Sequence, residues 1–433
     1  MDNPRELALK SLVKTDTGGA FSNIEINTAL ERANLSYEDR GLYTALYLGV
    51  LEKRITLDYI IAKYSKIPLG KIDLEALNAL RLGIYQIMFM DKIPDYSATD
   101  ESVSLVAKKS RGFVNAILRS FLRDGKKIDL PKEKWERVSI EYSYPLDIIN
   151  IFISSYGENV AYDLITRSKS EKGLSLRVNT LKAEIESVLN TLRADDDNAT
   201  LSKYTDDVIK TSLPISCVKQ LIDDGVVFVQ DEASRLCSIA VGAKENDTVL
   251  DACACPGGKS FSMAIDMKNK GRLISCDLHK SKLSLIEKGA KRLGIDIIEV
   301  YAQNGKEKRD DFEGGFDKVL CDVPCSGLGI IFKKPDIKYK PIESINNLPR
   351  VQYEILENCK NYVKVGGELI YSTCTLNKEE NEVNVTKFLK ANSDFEPVDF
   401  YFDGIKSRDG MCTLMPHINN TDGFFIAKMK RIK

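Results

Sequence analysis

Long apolar runs, paired metal-ligand cysteines and an excess of either charge are all missing from this chain of 433 residues. No segment approaches eighteen uninterrupted apolar residues, and the start MDNPRELALK lacks the apolar core of a signal peptide. The expectation is a soluble, cytoplasmic protein with no membrane partner. A formal net charge of −1 argues against a protein that coats nucleic acid indiscriminately, so DNA is not an expected partner, and it leaves room for a local basic face. Histidine is scarce, with only His279 and His417. The close cysteine pairs, Cys253/Cys255 and Cys321/Cys325, do not make the paired ligand set of a structural zinc site, so no metal is expected. Long cytosolic chains rarely keep disulfides, which makes free thiols the reading for the ten cysteines. Neither an internal repeat nor G-x-G-x-x-G nor G-x-x-x-x-G-K-[ST] is present, so the dinucleotide fingerprint and the phosphate-cradling P-loop are both disfavoured.

What is there divides the chain into three parts. Residues 1–129 read as all-helical, with helices over Ala20–Ala33, Tyr37–Ser65, Asp73–Met90 and Thr99–Phe121, after a first helix opened by Asn3-Pro4 and Glu6. Gly18-Gly19, Pro68 and Pro94 mark breaks. Ser104 to Lys127 carries Lys108, Lys109, Arg111, Arg119, Arg123, Lys126 and Lys127 against the single acid Asp124. Phe113, Val114, Ile117, Leu118 and Phe121 would face the core and leave the cations outward. That face is either an ordinary solvated one or a phosphate-binding surface. Residues 130–231 mix helices and strands and read as a small α/β linking subdomain. From 232 to 433 strands and helices alternate as in a doubly wound α/β domain, with strands at Thr248–Ala252, Arg272–Cys276, Ile295–Tyr301, Asp317–Cys321, Glu368–Tyr371 and Phe424–Lys430.

Chemistry concentrates where these strands end. FDKVLCDVPCSGLG reads as a buried strand ending at Asp322, after which Pro324 forces a turn that lifts Cys325 away from the sheet. GGELIYSTCT is a second strand, ending around Cys374. One thiol at a strand tip is common; two on adjacent tips, one beside an acid, point to a catalytic pair. In CACPGGKS the glycines allow close backbone approach, and the following helix N-terminus favours an anionic or polar ligand. Asp277, at the tip of the second strand, is placed to accept from ribose hydroxyls. A nucleoside lacking a pyrophosphate fits, and S-adenosylmethionine is the obvious one.

The motifs DACACPGGKS, SCDLH, CDVPCSGLG, YSTCT and DGFFIAKMKR, in this order, resemble the cytosine-5 RNA methyltransferases, and LRVNT and VFVQDEAS resemble that family's preceding segment. The helical front with RGFVNAILR resembles the NusB-type RNA-binding domain, so the whole chain resembles the RsmB (Sun/Fmu) branch, which acts on 16S ribosomal RNA of the small subunit. The resemblance implies a Rossmann-like methyltransferase domain behind an all-α NusB-like domain. It implies S-adenosylmethionine contacts from Cys253, Ala254, Cys255, Pro256, Gly257, Gly258, Lys259, Asp277 and Asp322. Where the family often has an aspartate after the third strand, QNG puts Asn304, whose amide can bond adenine but cannot act as a carboxylate. It further implies Cys374 as the nucleophile at carbon 6, Asp322 as the group that holds the base, and Cys325 as the group that helps remove the carbon-5 proton. Lys333, Lys334 and Lys338 are candidates to grip flanking phosphates. A monomer is expected.

The same resemblance leaves a cytosine-5 methyltransferase of another RNA, such as tRNA, and a non-catalytic ribosome assembly factor as alternatives. An amino-group methyltransferase would show an Asn/Asp-Pro-Pro-aromatic tip, and DVPCSG has a cysteine where the aromatic would be.

Overall fold

In the computed structural model, which describes residues 2–18, 22–167 and 173–433, every strand among the described residues lies after residue 173. The front is helical: α1 (Pro4–Gly18), α2 (Ser22–Arg32), α3 (Tyr37–Glu52), α4 (Arg54–Tyr64), α5 (Leu74–Phe89), α6 (Asp95–Ser104), α7 (Lys108–Arg123), α8 (Lys134–Tyr142), α9 (Leu146–Tyr156) and α10 (Glu158–Arg167). The expected start of α2 at Ala20 lies outside the described residues. Short polar side chains open these helices as their sequence signals imply. Asn3 Oδ1 accepts from the Arg5 N–H at 2.9 Å, Ser36 Oγ from Asp39 at 3.1 Å and Asp73 from Ala76 at 3.2 Å.

Two expected helices are each broken in two, the first by contacts distant in sequence and the second by local ones. Tyr37–Ser65 parts at Lys53, where the last carbonyls of α3 at Leu51 and Glu52 accept from the Tyr339 hydroxyl and the Lys338 ammonium. Ser143 Oγ then takes the Ile55 N–H of α4 at 2.8 Å. Thr99–Phe121 parts between Ser104 and Lys108. Val106 is buried there, and the Arg111 guanidinium folds back onto the Ser104 and Val106 carbonyls. No glycine or proline announces either break.

The contact pattern gives two compact units, Met1–Thr166 with Ile331–Lys340, and Arg167–Ile330 with Pro341–Lys433. The first unit thus contains a ten-residue strap taken from far along the chain. Within it Ile337 is 4 % exposed, Lys338 3 % exposed, and Ser22 Oγ bonds the Asp336 carboxylate. Lys338 donates to the Glu52 and Ser143 carbonyls at 2.8 and 2.7 Å and lies over the Tyr144 ring. The expectation that Lys338 grips phosphate is therefore corrected: its ammonium is consumed inside the first unit. Burial lowers its pKa to about 7, partly opposed by Glu52.

The second unit begins with β1 (Leu174–Val178), α11 (Ile185–Arg193), β2 (Thr200–Leu201), β3 (Val208–Thr211), α12 (Lys219–Asp223) and β4 (Val227–Val229), whose strands form an antiparallel sheet ordered β2-β3-β1-β4. It continues through α13 (Glu232–Val241), β5 (Thr248–Asp251), α14 (Gly258–Asp266), β6 (Arg272–Asp277), α15 (Leu283–Leu293), β7 (Ile298–Ala302), β8 (Phe316–Asp322), α16 (Ile342–Asn346), α17 (Leu348–Cys359), β9 (Val363–Thr373) and α18 (Glu382–Ala391). Last come β10 (Phe395–Pro397), the two-residue strands β11 (Tyr401–Phe402) and β12 (Ile405–Lys406), β13 (Met411–Leu414), α19 (Pro416–Asn419) and β14 (Phe424–Arg431). Arg235 of α13 joins the small sheet to the end of α14, reaching Asp207 at 2.7 Å and Asp266 at 2.6 Å.

The large sheet runs β10-β14-β9-β8-β5-β6-β7, with β13 beside β14. Its five strands β9-β8-β5-β6-β7 are parallel and β14 returns antiparallel. Alternate residues feed two cores: Val249, Leu273, Leu320 and Ile370 face one, and Leu250, Ile274, Val319 and Leu369 the other. Both faces are covered, as a parallel sheet requires. Chain order reverses between β5 and β8, so a crevice opens at the carboxyl ends of these strands, where open α/β sheets bind ligands.

Candidate active site

The crevice is lined by the loops that follow β5, β6, β7, β8 and β9. After β8 the chain stays tied to β9, because the Val323 N–H donates to the Ser372 carbonyl at 3.1 Å and the Gly329 N–H to the Cys374 carbonyl at 3.0 Å. A Cβ at Gly329 would lie 2.0 Å from the Gly423 carbonyl oxygen and 2.8 Å from that of Cys374. Three backbone segments therefore meet at one glycine, and no larger residue fits there. This fixes the loop that carries Cys325 against the loop that carries Cys374.

The result is a pair of sulfurs. Cys325 Sγ and Cys374 Sγ are 3.1 Å apart, both half-buried. The Cys325 pKa is raised, first by its bond to Cys374, then by burial. A negative charge on one of two thiols this close disfavours ionisation of the other.

Next to the sulfurs lies a charged pair. Lys259, in the first turn of α14, reaches Asp322 Oδ2 at 2.7 Å, and Ser372 Oγ donates to Asp322 Oδ1 at 2.7 Å. The Lys259 side chain is only 12 % exposed. Burial would push its pKa down, but Asp322 outweighs it and the pKa is raised. The carboxylate is thus held in one orientation from both sides.

The loop after β5 is shaped by Gly257, whose φ of 114° is left-handed and whose position against the Phe261 ring admits no Cβ. No side chain caps α14, so its first N–H groups are open to a ligand. Asp277 is oriented by the N–H groups of Cys255 at 3.3 Å and His279 at 2.9 Å. Under the loop, Asp251 is 1 % exposed; one of its oxygens accepts from Ser260 Oγ at 2.7 Å and the other has no partner. Burial raises the Asp251 pKa to about 7.

Residues 238–430 match the 16S rRNA methyltransferase RsmB/F family, and residues 2–123 match the NusB family. The probable ribosomal RNA small subunit methyltransferase B of Bacillus subtilis is 36 % identical over 99 % of this chain and 98 % of its own length. This chain belongs to the RsmB/F family. A protein of the same description from Synechocystis is 30 % identical over the full length of both. The solved structure of PH0851 superposes with a TM-score of 0.83 at 25 % identity, covering 100 % of this chain and 99 % of the other. NSun6 from Pyrococcus horikoshii shares the fold over 67 % of this chain and 98 % of its own, with a TM-score of 0.59 at 20 % identity. An RsmB/F methyltransferase uses S-adenosylmethionine, and the crevice fits it. An uncapped helix N-terminus, a fixed carboxylate at Asp277 and a buried acceptor without a partner at Asp251 suit a nucleoside with an amino-acid tail.

The structure brings Cys325, Cys374, Asp322 and Lys259 together and puts Asp277 on the loop Cys253–Lys259. Asn304 follows β7; its amide donates to Glu307 at 2.8 Å, while the adjacent Gly305 backs onto Cys253. Lys333 and Lys334 belong with Lys338 to the first unit. In α7, Val114, Ile117, Leu118 and Phe121 are buried and Lys108, Lys109, Arg111, Arg119 and Arg123 are exposed, as the pattern implied. Lys126 and Lys127 are paired with Asp95 at 2.8 Å and Asp129 at 3.1 Å.

Two residues at the site were missed by the sequence reading. Ser372 sits one strand over from Asp322, in register with it, and the strand pairing alone reveals that contact. Glu380 lies in the acid-rich run NKEENE and looks like a solvated helix start, yet it is 0 % exposed. Among the described residues no helix is long and apolar enough to cross a membrane.

Proposed function

We propose that this methyltransferase modifies carbon 5 of a cytosine in 16S ribosomal RNA through a covalent adduct between Cys374 and carbon 6. The observation that carries this reading is the 3.1 Å approach of Cys325 and Cys374 beside the Lys259–Asp322 pair. Carbon 5 of cytosine is a weak nucleophile, and a reaction at an exocyclic amine would need no thiol. An addition–elimination cycle calls for a nucleophile and a base, and two adjacent thiols can fill both roles.

In the cycle, the Cys374 thiolate forms a bond to carbon 6, and the electron pair of the carbon 5–carbon 6 double bond moves onto carbon 5. Asp322 accepts from the exocyclic amine and so holds the ring in place for the attack. Bound in the crevice, S-adenosylmethionine would supply an electrophilic methyl group to carbon 5, its sulfonium leaving as a neutral thioether. Cys325, once its own proton has passed to water, then takes the carbon-5 proton, the double bond re-forms, and the bond from carbon 6 to Cys374 breaks to return its thiolate. The principal cause that raises the Cys325 pKa is Cys374, so alkylation of Cys374 removes it and lets Cys325 ionise when a base is needed. Cys253, Ala254, Cys255, Pro256, Gly257, Gly258, Lys259, Asp277, Asn304 and Asp322 are the proposed cofactor contacts.

In the three-part division proposed here, residues 1–129 hold RNA, 130–231 link, and 232–433 carry the chemistry. The exposed cations of α7 are the proposed phosphate contacts, and the target base leaves any stack to reach the crevice. The test is incubation with labelled S-adenosylmethionine and ribosomal RNA, followed by nucleoside analysis. Label in 5-methylcytosine supports the reading. Label in an amino-methylated nucleoside, or none in RNA, rejects it.

A further inference from the structure

Glu380 lies six residues beyond Cys374 and has no part in the cycle above. Its carboxylate is fully buried and accepts from four donors. Oε1 accepts from Ser326 Oγ at 2.6 Å and Asn377 Nδ2 at 3.0 Å; Oε2 accepts from the Ser326 N–H at 2.9 Å and Gln352 Nε2 at 2.8 Å. Ser326 follows Cys325 directly. Its hydroxyl also meets Thr375 Oγ1, next to Cys374, at 2.6 Å. Gln352 on α17 donates in addition to the Pro324 carbonyl at 3.0 Å, on the other side of Cys325. One carboxylate thus holds both flanks of the Cys325 loop and, through a hydroxyl, the flank of Cys374.

We propose that Glu380 is a positioning residue that sets the spacing of the two catalytic sulfurs. A buried charge is retained only when it is fully bonded, and here every bond runs to one of the two cysteine loops or to the helix behind them. Because an ionised carboxylate only accepts, the Ser326 hydroxyl must donate to it, and the Thr375 hydroxyl must then donate to Ser326. The chain of bonds has one direction, and it exists only while residue 380 accepts on both oxygens. Glutamine has the same shape but presents an NH2 group to one of the two donor pairs, whichever way it is turned. A space-filling role would tolerate Glu380→Gln; a positioning role through acceptors does not.

This inference rests on the covalent reading above, and its test uses the full-length chain with Cys325→Ala as a control. Glu380→Gln is expected to leave S-adenosylmethionine affinity within about twofold and to lower turnover about a hundredfold, the scale of a displacement near 1 Å at reacting atoms. Protein–RNA adduct should accumulate, as is expected when Cys325 cannot act. Turnover near wild type, or loss of turnover in step with cofactor binding, overturns the proposal. If Glu380→Gln does not fold, Ser326→Ala removes the shared hydroxyl and should give the same split between turnover and cofactor affinity; an unchanged turnover there overturns it equally. If Cys325→Ala itself yields no adduct, the covalent reading has failed. If that control traps RNA and Glu380→Gln does not, the positioning role alone has failed.

Discussion

Lys259 Nζ lies 2.7 Å from Asp322 Oδ2, so the helix that follows the proposed cofactor loop is bonded directly to the carboxylate proposed to hold the base. Removing one partner leaves the other charge partly buried without its counter-ion, a cost of about 1–3 kcal/mol. Lys259→Met should therefore weaken S-adenosylmethionine binding and turnover together, each by about tenfold or more. Asp322→Asn should reduce turnover far more than cofactor affinity. Calorimetric titration of the cofactor beside single-turnover methylation separates the two, and matched losses in both variants would contradict the assignment.

RNA binding should respond to the exposed cations of α7. Charge reversal of Lys108, Lys109 and Arg111 is expected to weaken RNA binding and to reduce the slope of log K against log salt by up to about three, because fewer counter-ions are released. Cofactor affinity should not change. Filter binding across a salt series measures the slope. An unaltered slope would make α7 an ordinary solvated face.

Lys338 gives the first unit a distinctive pH dependence. Its folded pKa of about 7 lies below the ordinary 10.5, so between those values the unfolded chain binds one more proton than the folded chain. Stability from this group rises with pH across that window, by at most about 1.4 kcal/mol per pH unit, and is lost as pH falls towards 7. Hydrogen exchange at the α3 amides of the full-length chain should slow between pH 7 and 8.5 once corrected for intrinsic exchange. Lys338→Met should remove that trend while leaving the Glu52 and Ser143 carbonyls without their donor. A trend that survives the substitution would assign it to another group.

Strand tips carry their chemistry in adjacent residues, which is why Asp277, Asp322, Cys325 and Cys374 are legible in the amino-acid sequence alone. Alternation and turn residues fix where such strands end, and the parallel order then gathers their tips. Contacts made across long sequence separations are not legible in that way. FKKPDIKYK reads as cations free to grip phosphates, and only folding shows Lys338 completing the end of α3. Glu379 and Glu380 are neighbours in one acidic run, yet only Glu380 is buried, because Ser326 and Gln352 arrive from far along the chain to join nearby Asn377 in donating to it. Propensity draws Tyr37–Ser65 as one helix for the same reason, since the groups that end α3 arrive from residues 338 and 339.

Covalent catalysis by an unequal pair of thiols is tested most directly by trapping. Purified Cys374→Ala and Cys325→Ala chains are each incubated with ribosomal RNA and S-adenosylmethionine and run on a denaturing gel. Cys374→Ala should transfer no methyl group and form no adduct. Cys325→Ala should attack but fail to release, and a protein–RNA band that survives denaturation should accumulate, then vanish in the double variant. An adduct with Cys374→Ala in place of Cys325→Ala would reverse the two roles, and full activity in both variants would contradict covalent catalysis.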